Sequence, residues 1–249
     1  MNETEPKKPK KTVSCFTFIA ILVGVFFTVN LLSVFFVKMN MMNEIPKNIY
    51  KVDDIDKMKR VATFRLFADN YQFYIVDPDR SGSASSMFGA VMQLTQADSE
   101  RSWTRTDPSI TIFTFEDCND HRVDIFVGKE YDGHGDAQRV FVFPLRLSKG
   151  QMDITDGMGP TENRIQVPSG EYAVYVRSFN LGKGIEDFIE KNEDFLARDD
   201  MERYEIVLVP GKPDQEGVIF GPEKRSDVER EIYHPHPNPP PQAGEGNAK

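Results

Sequence analysis

Acidic side chains at alternate positions follow a strand-like segment and match the start of a calcium-binding loop. The residues Asp77-Pro78-Asp79-Arg80-Ser81-Gly82 place oxygen ligands at the first, third and fifth loop positions and glycine at the sixth. The twelfth position, where such loops carry a bidentate glutamate, is Phe88. Because the strongest ligand is missing and no helix leads into the loop, the pattern favours an ordinary Asp-Pro turn over a calcium site.

Histidine is scarce in the body of the chain and is poorly placed for metal binding. The segment Asp132-Gly133-His134-Gly135-Asp136 sets one histidine between two acids. His121 is the other histidine of the body, and no His-x₃-His or Cys-x₂-Cys pair occurs. A glycine-rich surface loop is therefore favoured over a metal or acid–base site.

The two cysteines offer no catalytic or structural chemistry by their positions. Cys118 lies in a polar turn three residues from His121, which does not by itself make a nucleophile–base pair, and Cys15 lies in an apolar run. The chain contains no P-loop, G-x-S-x-G, H-E-x-x-H or dinucleotide-binding motif. We predict that the protein is not an enzyme and has no catalytic, cofactor-binding or metal-binding residues.

Short β-type segments separated by turns make up the body that would position these side chains. Alternation of apolar and polar residues predicts strands over residues 61–67, 71–76, 110–115, 121–127, 139–147, 151–155, 164–167, 171–178, 202–209 and 217–220. Helices are predicted over 87–96 and 185–197. Without regular strand–helix alternation, the expected fold is a mainly β, antiparallel β-sandwich with one or two short helices.

A transmembrane anchor is predicted ahead of this body. Residues 14–37 contain no charged side chain, and 24 residues at 1.5 Å each reach about 36 Å, enough to span a bilayer. The run is too long for a signal peptide and ends without a small-residue cleavage site. We assign residues 13–37 as the anchor. The small residues Ala20, Gly24 and Thr28, spaced four apart, are candidates for self-association into a homodimer.

Charge predicts the orientation of the anchor and the type of partner. The tail 1–12 carries four lysines, which favours a cytoplasmic N-terminus and an extracytoplasmic body. The chain has a formal charge of −9, and the residues after this tail carry −11. A body this acidic repels nucleic acid and suits either a basic protein partner or simple solubility. We expect a juxtamembrane linker over 38–60, a β-sandwich over 61–222 and a proline-rich disordered tail over 223–249.

Several segments resemble the competence protein J family, whose founding members inhibit a DNA-entry nuclease. They are Tyr71-Gln72-Phe73-Tyr74-Ile75, the positions Val142 and Pro144-Leu145, Gly150-Gln151-Met152-Asp153-Ile154, and Ile165-Gln166-Val167-Pro168-Ser169-Gly170-Glu171-Tyr172. The resemblance covers about residues 65–210 and implies a β-sandwich that inhibits a nuclease. No functional residues are carried over from the family.

Two hypotheses follow for a membrane-anchored binding protein. The first is an inhibitor whose acidic surface occupies the basic cleft of a nuclease, which the charge of the body favours. The second is an envelope-associated structural or interaction domain with an unknown protein partner, which the anchor favours. Strong salt dependence of binding would indicate the first, and a salt-insensitive interface the second.

Overall fold

Strands form most of the part of the chain that the structure describes. This computed structural model describes residues 46–68, 71–80, 95–116, 119–156, 163–183 and 195–233. The strands are β1 (Asn48–Lys51), β2 (Lys59–Ala68), β3 (Gln72–Val76), β4 (Trp103–Thr106), β5 (Ser109–Phe113), β6 (Asn119–Val127), β7 (Arg139–Leu147), β8 (Gln151–Thr155), β9 (Asn163–Gln166), β10 (Gly170–Phe179), β11 (Arg203–Pro210) and β12 (Gly217–Phe220). The helices are α1 (Gln96–Arg101) and α2 (Arg225–Tyr233), with a 3₁₀ turn at Phe195–Ala197.

These strands form two six-stranded sheets. Sheet A has the order β1-β9-β8-β3-β5-β4, and sheet B has the order β12-β7-β10-β11-β6-β2. Successive side chains of a strand point to opposite faces, so alternate residues share the space between the sheets. Phe141, Phe143 and Leu145 of β7 pack there in one cluster with Ile110 and Ile112 of β5. Each such buried apolar side chain contributes about 1.5–3 kcal/mol. The expected mainly β fold with two sheets is confirmed.

The prediction of a purely antiparallel sandwich is wrong, because both sheets are mixed. β1 pairs with β9 in parallel, and β6 pairs with β11 in parallel. The side chain of Asn48 reinforces the first pair by donating a hydrogen bond to Asn163 over 3.0 Å. Alternation in one strand reports which face is buried, but it carries no information about the direction of a neighbour that lies far away in the sequence.

The folded body extends beyond the expected range 61–222 at both ends. Strand β1 and the start of β2 lie in the segment assigned to the linker 38–60, and α2 lies in the segment assigned to the disordered tail 223–249. Val228 of α2 is buried against Phe115 and Leu181, with Ile232 beside it. A nine-residue helix is marginal alone, so this tertiary contact decides its formation.

Other local predictions meet the structure only in part. The helix predicted over 87–96 lies outside the described residues except for its last two positions, where Thr95 is the N-cap of α1 and Gln96 is its first residue. Helix α1 therefore begins where the predicted helix ends. Of the helix predicted over 185–197, residues 195–197 are described and form a 3₁₀ turn. Pro144, which has no N–H to donate to a neighbouring strand, lies in the part of β7 beyond β12, whose pairing partners in β7 run only from Val140 to Val142.

The predicted anchor, residues 13–37, lies outside the described residues, as do Ala20, Gly24 and Thr28. Within the described ranges, no helix is long and apolar enough to cross a membrane.

Candidate protein-binding face

The acids that match a calcium loop bind a neighbouring turn of the protein. The carboxylate of Asp77 is fully buried and accepts hydrogen bonds from the backbone N–H and the hydroxyl of Ser148, at 3.0 and 2.9 Å. Asp79 pairs with Lys149 over 2.7 Å. Ser81, Gly82 and Phe88 lie outside the described residues. The described carboxylates therefore join two turns.

The glycine-rich loop around His134 lies on the outer side of sheet B. Nδ1 of His134 shares a 3.2 Å hydrogen bond with the hydroxyl of Tyr131, and its ring stacks on Phe220 at 4.7 Å. Asp132 forms an ion pair with Arg177 of β10. These contacts hold the predicted loop, which connects β6 to β7, against sheet B. In the described ranges, no group of three His, Cys, Asp or Glu residues is arranged to hold a metal ion.

The outer side of sheet B carries a second apolar surface, opposite the core between the sheets. We call this surface the Tyr131 face. Its members are Met58, Phe126, Tyr131, Val142, Ala173, Tyr175, Val207, Val209 and Ile219. The order of strands places Val142, Tyr175, Val207 and Phe126 in one row across four neighbouring strands. The valines and Ala173 are buried, while the larger members are half-buried and line the surface.

Two stacked tyrosines form the centre of the Tyr131 face. The rings of Tyr131 and Tyr175 are parallel within 4° and 3.8 Å apart. Nε of Arg177 donates to the hydroxyl of Tyr131 over 3.3 Å, and its guanidinium lies 4.9 Å from that ring. Burial raises the pKa of both tyrosines, and nearby Asp214 raises that of Tyr175 further. Both phenols are therefore neutral at physiological pH and present aromatic surface with a polar edge.

A row of ion pairs borders the Tyr131 face on the same side of the sheet. Arg177 pairs with Glu205 over 3.1 Å, and Glu205 pairs with Arg203 over 3.0 Å. On the next strand, Arg122 pairs with Asp124 over 2.8 Å. The Arg177–Glu205 pair joins β10 to β11, whereas the Arg122–Asp124 pair lies within β6. Because Asp124 is almost fully buried, its charge needs a cationic partner.

Three loops with an excess of carboxylates surround the Tyr131 face. They are residues 53–58, 129–136 and 211–216, and the first two are joined by a hydrogen bond from the N–H of Lys129 to the carbonyl of Asp56. Five exposed acids in them form no ion pair within the described residues. These acids are Asp54, Asp56, Glu130, Asp136 and Asp214. The cations of these loops without an ion pair in the same ranges are Lys57 and Lys129. An aromatic centre with an acidic rim results.

Sequence patterns gave a partial signal for this face. Apolar residues occupy both sides of the strand that contains Ala173, Tyr175 and Val174, which indicates burial on two faces. Tyr131 gave no such signal, because it lies in a loop that reaches Tyr175 only in the folded protein. Cys118 lies outside the described residues. His121, for which no catalytic role was predicted, is buried with Nδ1 3.4 Å from the carbonyl oxygen of Glu202.

Fold and surface together define a mixed, two-sheet β-sandwich with an aromatic face and an acidic rim. No family model matches the chain, and no curated protein shows significant similarity to it. Two solved structures show weak similarity of fold. ComJ from Bacillus subtilis, described as an inhibitor of the DNA-degrading activity of NucA, is 14% identical, with 62% of this chain and 98% of that chain covered and a TM-score of 0.46. The protein of crocagin biosynthetic gene J is 13% identical, with 62% and 99% covered and a TM-score of 0.42.

Proposed function

We propose that this protein is a membrane-anchored binding protein that inhibits a nuclease through the Tyr131 face. The observation that carries the proposal is the pairing of a half-buried aromatic centre, Tyr131 on Tyr175, with a rim of unpaired carboxylates. Aromatic residues supply contact area at protein interfaces, and charged rims steer the encounter and select partners. The proposal assigns the surface a role in binding and no role in catalysis.

A nuclease is the partner class that suits an acidic rim. An enzyme that holds DNA must place cations where the phosphates bind. Carboxylates spaced around an apolar centre can meet those cations and close the cleft to DNA. The resemblance of the sequence to the competence protein J family implies the same activity. With the anchor at 13–37 and the body outside, the proposed target acts on the outer side of the membrane.

A nuclease inhibition assay tests the proposal directly. The full chain is purified in mild detergent, and the DNA-degrading activity of each nuclease from the same genome is measured with increasing excess of the chain. We expect dose-dependent inhibition of one enzyme. The inhibition should weaken as salt is raised, because exposed charges farther apart than the Debye length are largely screened, and this length is about 8 Å at physiological ionic strength and shorter at higher salt.

Variants of the Tyr131 face distinguish the contribution of its aromatic centre to inhibition from that of its acidic rim. Tyr175→Ala removes the stacking partner of Tyr131 and should weaken inhibition at every salt concentration. Reversal of two rim acids, Glu130→Lys with Asp136→Lys, should weaken inhibition roughly tenfold at low salt and much less at high salt. The matched control is Glu231→Lys, since Glu231 is an exposed acid on α2.

Two results would contradict the proposal. If every nuclease stays fully active at large excess of the chain, the inhibitor function is wrong. If a partner binds with an affinity that neither salt nor the rim reversal changes, the acidic mechanism is wrong. The second hypothesis, an envelope-associated domain with an apolar interface, is then favoured. The aromatic centre of the same face supplies such an interface.

A further inference from the structure

A groove opens between one edge of sheet A and one edge of sheet B. Strand β4 is the edge of sheet A and β12 is the edge of sheet B. Between them lies a cavity of about 530 Å³. Its lining residues are Arg101, Trp103, Glu216, Gly217, Val218, Ile219, Phe220, Gly221 and Glu223. Protein pockets that bind small molecules have volumes of about 300–1,000 Å³, so the groove has room for a few side chains.

The groove is aromatic and is bordered by an unpaired strand edge. Trp103 packs on Phe143 behind it at 4.9 Å, and the guanidinium of Arg101 lies 4.7 Å from the indole. Phe220 at one end is 43% exposed. Opposite the indole stands Gly217, where an added Cβ would lie 3.4 Å from the ring, so no side chain of β12 fills the space at that point. Strand β12 pairs with β7 on one side alone in the described structure.

The polar groups of the groove include donors suited to backbone carbonyl oxygens. The indole N–H of Trp103 makes no hydrogen bond within the described residues, and the Arg101 side chain is half exposed at the mouth of the groove. A polyproline II segment presents carbonyl oxygens and, at its prolines, no N–H groups. Aromatic grooves bind such segments with little loss of entropy, because the extended conformation is preformed.

The chain contains a segment of this chemistry, and it follows a helix whose first turn lies close to the groove. Residues 235–241, Pro-His-Pro-Asn-Pro-Pro-Pro, follow α2 after one intervening residue, His234. Glu223, two residues before α2, lines the groove, and Ser226 of α2 donates to Glu100 of α1, the helix whose last residue is Arg101. Pro239 comes six residues after Tyr233, a reach of about 20 Å, against a length of about 13.5 Å for α2. The prolines can therefore return along α2 to the groove.

We propose that the proline-rich segment 235–241 binds in cis to the groove between β4 and β12, with Pro239-Pro240-Pro241 against Trp103. In this arrangement the tail covers the edge of β12 and the exposed ring of Phe220. The groove shares Ile219 with the Tyr131 face and Glu216 with the loop 211–216, but the proposal does not depend on nuclease inhibition.

Trp103 is the one tryptophan of the chain, so its fluorescence reports on this groove directly. The full chain is compared with a variant in which Pro239, Pro240 and Pro241 are replaced by alanine. We expect the variant to show red-shifted emission and at least a twofold larger acrylamide quenching constant. The matched control replaces three other tail residues by alanine, Gln242, Glu245 and Asn247, and should behave as the parent.

A second measurement tests the same contact by reconstitution. A synthetic peptide of residues 234–249 is titrated into the proline variant and should restore the emission and the protection from quenching. Equal quenching of parent and proline variant, with no response to the peptide, would overturn the proposal. So would protection that appears only as the protein concentration is raised, because the tail of a second copy would then fill the groove.

Discussion

The carbonyl oxygen of Val167 occupies the space that a side chain on Gly150 would need. A Cβ built on Gly150 lies 1.9 Å from that oxygen, and the backbone of Gly150 has a φ of +70°. The same two residues are joined by a 2.8 Å hydrogen bond from the N–H of Val167 to the carbonyl of Gly150. Glycine is therefore required here for close approach of two backbones as well as for its conformation. Both residues belong to segments that carry the family resemblance.

Gly150→Ala is expected to lower the free energy of unfolding by about 2–4 kcal/mol. The strained backbone accounts for about 1 kcal/mol, and displacement of the Val167 carbonyl accounts for the rest. Urea denaturation of the full chain measures the change. Gly135→Ala is the matched control, since Gly135 has a φ of +56° with nothing within 4 Å of an added Cβ. Equal losses in the two variants would show that the contact with Val167 is unimportant.

Tyr172 should make folding sensitive to alkaline pH. Its hydroxyl donates to the carbonyl of Pro168 over 2.5 Å, and burial raises its pKa to about 12. An unfolded tyrosine has a pKa near 10, so the folded state holds the proton more tightly. This contribution to stability is fully present below pH 10 and is lost as the pH rises from 10 to 12.

Tyr172→Phe isolates this effect. The variant should be less stable by about 1 kcal/mol at neutral pH, because the hydrogen bond to Pro168 is lost. The difference from the parent should shrink between pH 10 and 12, where the parent alone loses the contribution of Tyr172. Denaturation midpoints at pH 8, 10, 11 and 12 follow both proteins. A difference that stays constant over this range would contradict the assignment.

Glu202 is a buried acceptor for three separate donors. It accepts hydrogen bonds from the N–H of Phe115 at 2.9 Å, from the N–H of Gly182 at 3.1 Å and from the hydroxyl of Tyr204. Glu202→Ala leaves all three unsatisfied, and we expect a loss of about 3 kcal/mol or more. Glu202→Gln keeps one acceptor oxygen and should lose less. Glu231→Ala, at an exposed position on α2, should change stability by less than about 0.5 kcal/mol.

Arg139 is a fully buried cation whose N–H groups bind the C-terminal end of α1 and the segment just before α2. It donates to the hydroxyl of Ser102 and the carbonyl of Arg101, both at 2.9 Å, and to the carbonyl of Glu223. Burial lowers its pKa to about 10, so it is charged at neutral pH. Arg139→Met keeps a flexible side chain but leaves these acceptors unpaired. Hydrogen exchange of α1 and α2 should accelerate at least tenfold, with little change in β8 and β9.

Exchange that accelerates equally in all strands would contradict a local role for Arg139. A useful comparison is Arg164→Met. Arg164 forms two hydrogen bonds with Asp153 between β8 and β9, at 2.6 and 2.7 Å, so its loss should loosen those strands and spare α1 and α2.

Strand positions were the part of the fold most accessible from the sequence. The predicted ranges 139–147, 151–155 and 217–220 coincide with β7, β8 and β12. β7 and β8 are buried on both faces, and their β-branched and aromatic residues favour the strand conformation that the sheets require, so local pattern and tertiary structure agree. Strands β1 and β4 were missed, because Asn48–Lys51 and Trp103–Thr106 are short and polar and depend on a single paired neighbour.

The Tyr131 face could not be predicted from local sequence patterns. Tyr175 lies on a predicted strand, but its contact with Tyr131 joins a loop and a strand 44 residues apart. Arg139 shows the same limit, since a charged residue at a strand start gives no sign that it will be fully buried. Its burial depends on the carbonyls of Arg101 and Glu223 converging on it from opposite directions along the chain.

The sequence by itself determined the mainly β character, most strand positions, the acidic charge of the body and the prediction of an apolar anchor. These follow from side-chain solvation and backbone sterics, which act over a few neighbouring residues. Only the tertiary structure decided the two parallel pairings, the docking of α2, the Tyr131 face and the groove beside Trp103. Each of these needs segments distant in the chain to meet, and the free energy of that meeting depends on the whole set of contacts made when the two sheets close.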